Sequence, residues 1–353
     1  MMKLEKLRNE FSSLGIDALF VTSAYNRRYL SNFTGTSGAV LISEENAYFI
    51  TDFRYVEQAK KQAVGFEIVQ HSGSILAEVN RLCNENGLKK LGFEENDVSF
   101  SLYKTMEKEI SARLIPVSST VEKLRLIKTE DEIKIIKVAA DIADAAYKHI
   151  LEFVQPGMSE LEVSNELEFF MRRSGATSSS FDTIVASGIR SALPHGVASE
   201  KIIEKGDMIT LDFGAYYNGY VSDITRTFAI GEPASELKEI YQIVLDAQLK
   251  GVEQIRAGIT GKQADAICRD YITEKGYGEY FGHSTGHGIG LEIHEGPALS
   301  FKSDIVLEKG MVVTCEPGIY IPNLGGVRIE DDILLTETGN ELLTHSTKEL
   351  IIL

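Results

Sequence analysis

Four acidic residues occupy two short segments of the chain that share one pattern. Asp212 and Asp223 flank one glycine-containing segment, and Glu316 and Glu330 flank another. The first acid of each pair directly follows an apolar run, so we expect it to lie inside the protein at the end of a strand. Buried carboxylates are unfavourable unless they are paired or bind a cation. The pattern therefore favours a divalent metal site, and four separate salt-bridged acids are the alternative.

Four of the seven histidines lie in two glycine-rich segments, 193–196 and 283–295. On a strand, residues seven apart point to opposite faces, so His287 and His294 share a site only if the chain bends between them. The glycines at 286, 288 and 290 allow such a bend. One imidazole with four carboxylates suits Mn²⁺ or a related divalent ion, whereas a structural zinc site usually has thiolates.

Such a ligand set favours hydrolysis. Four carboxylates can hold two metal ions roughly 3.5–4 Å apart, with a shared hydroxide as nucleophile and a Lewis acid for a carbonyl. Amide or ester hydrolysis is the natural reaction. No motif indicates catalysis by a covalent nucleophile, because the chain has no Gly-x-Ser-x-Gly elbow and Cys315 lies inside an expected strand.

The elements that carry these residues occur twice along the chain. Gly157-Met-Ser corresponds to Gly258-Ile-Thr (258 − 157 = 101), and Glu204-Lys-Gly206 corresponds to Glu308-Lys-Gly310 (308 − 204 = 104). Each copy begins with two amphipathic helices. The first helix of the first copy starts after a capping box at Thr129. We therefore expect residues from about 129 to 337 to form two copies of one ααβ(ββ) unit, with chance matching of glycines as the alternative.

The repeat also relates two histidines outside the acidic hairpins. His195 and His294 are 294 − 195 = 99 residues apart, close to the repeat offset, so we expect them to flank the site symmetrically. The first 120 residues differ, since helix-like and strand-like segments alternate there without a glycine-rich phosphate loop. We predict an α/β N-terminal domain at 1–124 and a duplicated α+β domain at 125–353, which carries the catalytic residues.

Composition excludes several classes of protein. The chain has 353 residues and a net charge of −16, which argues against nucleic-acid binding. Three cysteines are too few for a disulfide framework. The first twenty residues resemble an amphipathic helix more than a signal peptide, and no apolar run reaches the roughly 18–20 residues that span a membrane. We expect a cytoplasmic protein.

The ordered set Asp212, Asp223, His287, Glu316 and Glu330 resembles the five ligands of metallopeptidases with the pita-bread fold. The segment 283–295 is similar to the signature shared by Xaa-Pro dipeptidases (prolidases) and aminopeptidase P, and the first 120 residues resemble a creatinase-type N-terminal domain. This resemblance implies two divalent metal ions, Mn²⁺ first and Co²⁺ or Zn²⁺ as other candidates. Asp212 would serve one ion, His287 and Glu316 the other, and Asp223 and Glu330 would bridge both.

The resemblance also implies catalytic roles. Glu316 would act as base and proton shuttle, while His195 and His294 would bind substrate and stabilise the tetrahedral intermediate. Arg328, two residues before Glu330, would orient the acids, with a surface arginine as the alternative. The N-terminal domain of relatives covers an active-site mouth, which implies a homodimer.

The implied reaction is hydrolysis of the bond before proline in short peptides, most simply by an Xaa-Pro dipeptidase. Aminopeptidase P is the alternative, because the segment 295–298 lacks the arginine that some prolidases carry there. Methionine aminopeptidase usually lacks so large an N-terminal domain, and creatinase uses no metal. A non-catalytic binding protein on the same fold is a further alternative, which the five intact ligands disfavour.

Overall fold

The computed structural model describes residues 2–353, which fall into two compact units, one ending at Arg125 and the next beginning at Leu126. The domain boundary predicted between residues 124 and 125 lies next to this division. That the two units are separate folding domains stays a prediction. Within the described residues, no helix has the length and apolarity that a membrane crossing requires.

The first unit has a six-stranded sheet with helices between its strands. Its helices are α1 (Met2–Asn9), α2 (Phe11–Leu14), α3 (Ala24–Ser31), α4 (Val56–Gln62), α5 (Ile75–Glu85), α6 (Phe100–Glu109) and α7 (Thr120–Arg125). Its strands are β1 (Ala18–Val21), β2 (Ala39–Ser43), β3 (Ala47–Thr51), β4 (Glu67–Gln70), β5 (Lys90–Glu94) and β6 (Arg113–Val117). The strand order is β4-β3-β2-β1-β5-β6. β1, β2 and β3 are buried along their whole length, as expected for central strands of an α/β sheet.

The second unit has four long helices around several antiparallel sheets. The helices are α8 (Glu130–Phe153), α9 (Glu160–Arg173), α10 (Ser235–Gln254) and α11 (Gly261–Glu274). Its strands are β7 (Ser178–Ser179), β8 (Ile184–Ser187), β9 (Met208–Phe213), β10 (Ala215–Tyr217), β11 (Tyr220–Val221), β12 (Ile224–Ala229), β13 (Gly286–Gly288), β14 (Glu295–Leu299), β15 (Val312–Cys315), β16 (Gly318–Ile321), β17 (Gly325–Arg328), β18 (Asp331–Leu335) and β19 (Asn340–Leu342). Two of its sheets, ordered β12-β9-β8 and β14-β13-β15-β18-β19, position the acids, which lie in or directly next to their strands.

The two halves of this unit repeat each other in detail. The amide of Gly157 donates to the carbonyl of Ile203 over 2.8 Å, and the amide of Gly258 donates to that of Leu307 over the same distance. Ser159 caps α9 with a complete capping box, and Thr260 does the same for α11. The predicted duplication is therefore present in the hydrogen bonding as well as in the element order.

Each half buries its helices against its own sheet. In the first half, Leu167 of α9 packs in one cluster with Phe213 of β9. In the second half, Cys268 of α11 packs in one cluster with Val313 of β15. These apolar faces hold the sheets rigidly, so the opposite faces can carry polar side chains.

Two elements differ from the sequence prediction. The helical spacing from Lys3 to Leu14 predicts one helix, but the structure divides it at Glu10, whose amide donates to Leu7 three residues earlier rather than four. The apolar pattern of residues 220–230 predicts one strand, but the structure interrupts it before Asp223, whose amide donates to the carboxylate of Asp332 rather than to a neighbouring strand.

Candidate active site

One cavity of about 530 Å³ in the second unit contains every residue that the sequence singled out for chemistry. The cavity is lined by His195, Asp212, Asp223, His287, His294, Glu316, Arg328 and Glu330, among others. The structure therefore brings together side chains that span more than a hundred residues of sequence, from both copies of the repeat.

Strand register places the two aspartates on one face. Asp212 of β9 lies opposite Ile184 of β8 on one side and Thr225 of β12 on the other. Residues directly opposite each other in a sheet share a face, and so do residues two apart along a strand. Asp223 precedes Thr225 by two residues and therefore points to the same side, where both aspartates line the cavity.

The second copy supplies its acids in the same way. Thr314 lies opposite Asp332 in the β15–β18 ladder, and Glu316 and Glu330 each lie two residues from one of these positions. The Thr314 hydroxyl accepts the amide of His287 at 3.1 Å and lies 3.3 Å from Glu316 Oε1, to which it donates. Thr314 thus links the backbone of His287 to the carboxylate of Glu316.

Three of the acids keep a carboxylate oxygen that no hydrogen bond satisfies. Asp212 Oδ1, Asp223 Oδ1 and Glu330 Oε1 are buried, and the described residues provide no hydrogen-bond partner for them. Buried polar atoms in native proteins are normally satisfied, so unpaired oxygens grouped in one cavity indicate a ligand. Their acceptor-only chemistry calls for a cation.

The electrostatics indicate the same need. Burial raises the pKa of Asp223 well above its ordinary value, and the neighbouring Glu330 and Asp212 carboxylates raise it further. Burial likewise raises the pKa of Glu330 well above its ordinary value, with repulsion from Glu316 and Asp212 adding to the effect. Burial also raises the pKa of Glu316. A bound cation would relieve this repulsion and stabilise the ionised acids.

His287 completes a group with metal-binding geometry. Ligand atoms of Asp223, His287 and Glu330 all lie within 4.8 Å of one another. Nε2 of His287 is 3.6 Å from Asp223 Oδ2 and 3.4 Å from Glu316 Oε1. Its Nδ1 lies 3.1 Å from the carbonyl of Gly288, which fixes the proton on Nδ1 and directs the Nε2 lone pair toward the acids. Burial lowers the pKa of His287, which favours the neutral, ligating ring.

Arg328 connects the two copies beside these acids. Its Nη2 donates to Asp212 Oδ2 at 2.5 Å, its Nε to Thr225 Oγ1 at 3.1 Å and its Nη1 to the hydroxyl of Tyr320 at 2.7 Å. The side chain is only 2 % exposed, so the alternative of a surface arginine is wrong. These contacts would let Arg328 orient the Asp212 carboxylate, and that role stays a prediction.

His283 extends this network. Its Nδ1 lies 2.8 Å from the carbonyl of Ser284, so its Nε2 accepts the hydroxyl proton of Tyr320 at 2.8 Å. Burial lowers the pKa of His283 and raises that of Tyr320 to about 12, so both groups are neutral at physiological pH. Neutral donors and acceptors in a fixed order can hold Arg328 in place without adding charge to the site.

The bend predicted in the glycine-rich segment is present. The β13–β14 pairing shifts register between His287 and Gly288, and the rings of His287 and His294 lie 4.4 Å apart. Burial lowers the pKa of His294, and its neighbours His287 and His195 lower it further. His195 and His294 both line the cavity outside the acidic group, which consists of Asp212, Asp223, Glu316 and Glu330, and can donate to a bound molecule there.

Two family patterns match the chain. Residues 134–337 match metallopeptidase family M24, and residues 3–127 match the creatinase/prolidase N-terminal domain. The first match covers more than half of the chain and includes all eight site residues. The chain belongs to metallopeptidase family M24.

Individual proteins resemble the chain over nearly its full length. The solved structure of an Xaa-Pro dipeptidase from Bacillus anthracis has a TM-score of 0.99 at 68 % sequence identity and covers 100 % of this chain and 99 % of its own. An uncharacterized peptidase of Bacillus subtilis is 62 % identical over 100 % of both chains. An X-Pro aminopeptidase from Thermotoga maritima has a TM-score of 0.92 at 43 % identity, covering 98 % of this chain and 100 % of its own. The predicted fold, a creatinase-type domain followed by a pita-bread domain, is confirmed.

Sequence reasoning missed the polar residues that orient this M24 site. Thr225 and Thr314 could have been found, because each lies two residues from an acid on a strand and must share its face. His283 had a weaker signal, its spacing of four residues from His287 in a glycine-rich segment. Tyr320 had none, since only the β16–β17 hairpin brings it to Arg328.

Proposed function

We propose that this M24 metallopeptidase hydrolyses the peptide bond before proline in short peptides, as an Xaa-Pro dipeptidase. The observation that carries the proposal is the group of carboxylates with unpaired buried oxygens around His287, in one cavity of an M24 chain. The name of the 68 % identical relative from Bacillus anthracis supports the choice of substrate.

We propose two divalent ions, with Mn²⁺ first and Co²⁺ or Zn²⁺ as other candidates. An oxygen-rich ligand set with one imidazole suits Mn²⁺. Asp212, Asp223, His287, Glu316 and Glu330 would hold the ions, and the three unpaired oxygens are free to do so. When bound, such ions supply a water-derived nucleophile at neutral pH and a Lewis acid that polarises the scissile carbonyl.

Glu316 is the proposed general base. Its raised pKa lies closer to neutral pH, where a carboxylate can both accept and return a proton. It would accept the proton of the attacking water and deliver it to the nitrogen of the departing proline. That nitrogen belongs to a tertiary amide, so it must be protonated before it can leave as an amine.

His195 and His294 are the proposed substrate-binding residues. Both line the cavity without taking part in the acidic group. Hydrogen bonds from their rings to the carbonyl oxygen would strengthen as that oxygen gains negative charge in the transition state. Arg328 would act through Asp212, whose Oδ2 it fixes while leaving Oδ1 unpaired.

Aminopeptidase P activity remains the second candidate, and one feature of the cavity favours it. Among the lining residues, all of which belong to the described part of the chain, Arg328 is the one Arg or Lys, and it is already bonded to Asp212, Thr225 and Tyr320. Ala298 lines the cavity in the segment where some prolidases carry an arginine. A dipeptidase would have to bind the proline carboxylate with His195, His294 or the metal ions instead.

A substrate panel distinguishes these candidates. Mn²⁺-loaded protein is assayed with Ala-Pro, Ala-Pro-Ala and a Met-Ala peptide, beside Glu316→Ala as inactive control and the exposed Glu337→Ala as active control. We expect hydrolysis of Ala-Pro alone. Release of alanine from Ala-Pro-Ala would instead establish the aminopeptidase, and cleavage of the methionyl peptide alone would contradict both readings. Metal-loaded protein that cleaves none of the three would favour a binding protein.

Two further properties belong to the proposal. We propose a homodimer, by analogy with the covering role of the N-terminal domain in relatives, and light scattering of the purified protein tests it directly. We also propose a cytoplasmic location, which agrees with three buried free thiols, Cys83, Cys268 and Cys315. Cell fractionation tests this second point.

A further inference from the structure

A buried carboxylate lies beneath the chain segment that carries His195. Glu160, the first residue of α9, has a fully buried side chain, although it lies outside the acidic group of the cavity. Burial of a carboxylate is unfavourable unless its oxygens are satisfied, so its partners show what it does.

Those partners lie at both ends of one segment. Glu160 Oε1 accepts the amide and the hydroxyl of Ser187, each at 2.8 Å. Glu160 Oε2 accepts the amide of Ser199 at 3.1 Å and its hydroxyl at 2.7 Å. The segment 188–198, which joins these two serines, contains His195. One carboxylate therefore holds the start and the end of the His195 segment together.

Arg190 carries this restraint into the middle of the segment. Its Nη1 pairs with Glu160 Oε2, and its Nη2 donates to the carbonyl of Val197 at 2.9 Å. The amide of Val197 in turn donates to the carbonyl of His195 at 2.9 Å. A continuous path of hydrogen bonds thus runs from Glu160 through Arg190 to the backbone of His195.

The second copy of the repeat lacks this device. The position that matches Glu160 is Gly261 (160 + 101 = 261), whose amide donates to Ile305 as that of Glu160 donates to Lys201. A Cβ atom at Gly261 would lie 2.2 Å from the carbonyl oxygen of Ala298, so no side chain fits there. The backbone of the two copies is equivalent here, and the carboxylate is specific to the copy that carries His195.

We propose that Glu160 and Arg190 are positioning residues that hold His195 in register with the acidic group. The inference rests on the proposed function, in which His195 binds substrate. Buried ion pairs add little net stability over apolar side chains, but their directional hydrogen bonds restrict a flexible segment. Val197 also forms a β-bridge with Ile184, which lies opposite Asp212, so the restrained segment is joined to the strand that carries the acids.

The test uses Arg190, because its side chain is about a quarter exposed and its removal leaves Glu160 with four other donors. Arg190→Ala, His195→Ala and the double variant are compared with Arg190→Lys as the conservative replacement. The control is Glu162→Ala, which removes the capping box of the same helix without touching the segment. Values of kcat and KM for Ala-Pro, melting temperatures and hydrogen exchange of 188–198 are measured on the Mn²⁺-loaded full chain.

We expect Arg190→Ala to lower kcat/KM about tenfold through misplacement of His195, and Arg190→Lys to recover part of the loss. In the His195→Ala background, Arg190→Ala should lower kcat/KM by less than about twofold, because the ring that Arg190 positions is gone. Exchange of 188–198 should rise in Arg190→Ala and stay unchanged in Glu162→Ala.

The inference would be overturned if the fold-losses in kcat/KM of the two single variants multiply in the double variant. Full activity of Arg190→Ala would also overturn it. A wild-type protein that cleaves no Xaa-Pro peptide would contradict the proposed function instead. In that case unchanged exchange of 188–198 in Arg190→Ala would still overturn the inference, and increased exchange would still support the restraint on the segment.

Discussion

Arg328 and Asp212 lie 116 residues apart in sequence, yet Nη2 of the arginine is 2.5 Å from Oδ2 of the aspartate. The contact joins the two copies of the repeat, because Asp212 lies near the end of a strand of the first and Arg328 belongs to a hairpin of the second. The arginine occupies one oxygen of Asp212 and leaves the other unpaired and buried. It therefore determines which oxygen of Asp212 is available to a cation.

Removal of this arginine should weaken metal binding. Arg328→Ala leaves Asp212 without its orienting partner, and Arg328→Lys retains the charge but not the three separate donors. We expect both variants to lose about 10–100-fold in Mn²⁺ affinity or activity, as is usual for residues that orient metal ligands. Isothermal titration with Mn²⁺ measures the affinity, and wild-type affinity in Arg328→Lys would show that charge alone suffices.

The hydroxyl of Thr225 should matter independently of its size. It donates to Glu330 Oε2 at 2.7 Å and accepts Arg328 Nε at 3.1 Å. Thr225→Val removes both hydrogen bonds with little change in volume, so we expect Mn²⁺ affinity to fall about tenfold. Thr225→Ser keeps the hydroxyl and serves as the matched control. Equal affinities in the two variants would assign no role to the hydroxyl.

The stability of the metal-free protein should depend on pH in an unusual direction. Burial and repulsion raise the folded pKa of Asp223 and Glu330 well above the value of about 4 expected in the unfolded chain. The folded state therefore binds these protons more tightly than the unfolded state. Their contribution to stability is fully present below about pH 4 and is lost as pH rises through the raised folded values.

We accordingly expect the free energy of unfolding of metal-free protein to fall from mildly acidic to neutral pH, and Mn²⁺ to remove that fall. In Asp223→Asn the decrease should be smaller, since one charge of the repelling pair is gone. Urea unfolding between about pH 5 and 8, with and without Mn²⁺, measures it. A pH dependence identical in wild type and variant would assign the effect to other groups.

The bend between His287 and His294 depends on close backbone approach. A Cβ atom at Gly288 would lie 2.0 Å from the carbonyl oxygen of Gly296, whereas one at Gly282 would meet nothing within 4 Å. We therefore expect Gly288→Ala to destabilise the protein by about 1–3 kcal/mol, as overpacking does, and Gly282→Ala to be neutral. Thermal unfolding compares them, and equal melting temperatures would show that the ladder can shift at no cost.

Much of this site could be predicted from sequence because its acids follow strict local rules. An acid that follows an apolar run, repeated at a similar offset in the second copy (316 − 212 = 104), identifies both the hairpins and their pairing. Likewise, the patterns Thr129-x-x-Glu132 and Ser159-x-x-Glu162 predict helix starts, and both capping boxes are present in the structure.

Contacts between the copies could not be predicted in the same way. Tyr320 reaches Arg328 only across a hairpin, and Glu160 reaches Ser199 only after the chain has returned from β8. Local pattern thus predicts which residues are chemically important better than it predicts what orients them.

The central claim is that five residues of one cavity hold two divalent ions that are needed to cleave the bond before proline. It is tested most directly by removing all metal with a chelator, adding Mn²⁺ stepwise and following the release of proline from Ala-Pro. We predict no hydrolysis without metal and full activity at about two equivalents of Mn²⁺ per chain. The Glu330→Gln variant should show no hydrolysis with or without Mn²⁺. Full hydrolysis by the metal-free protein, or none at any Mn²⁺ concentration with the metal bound, would contradict the account.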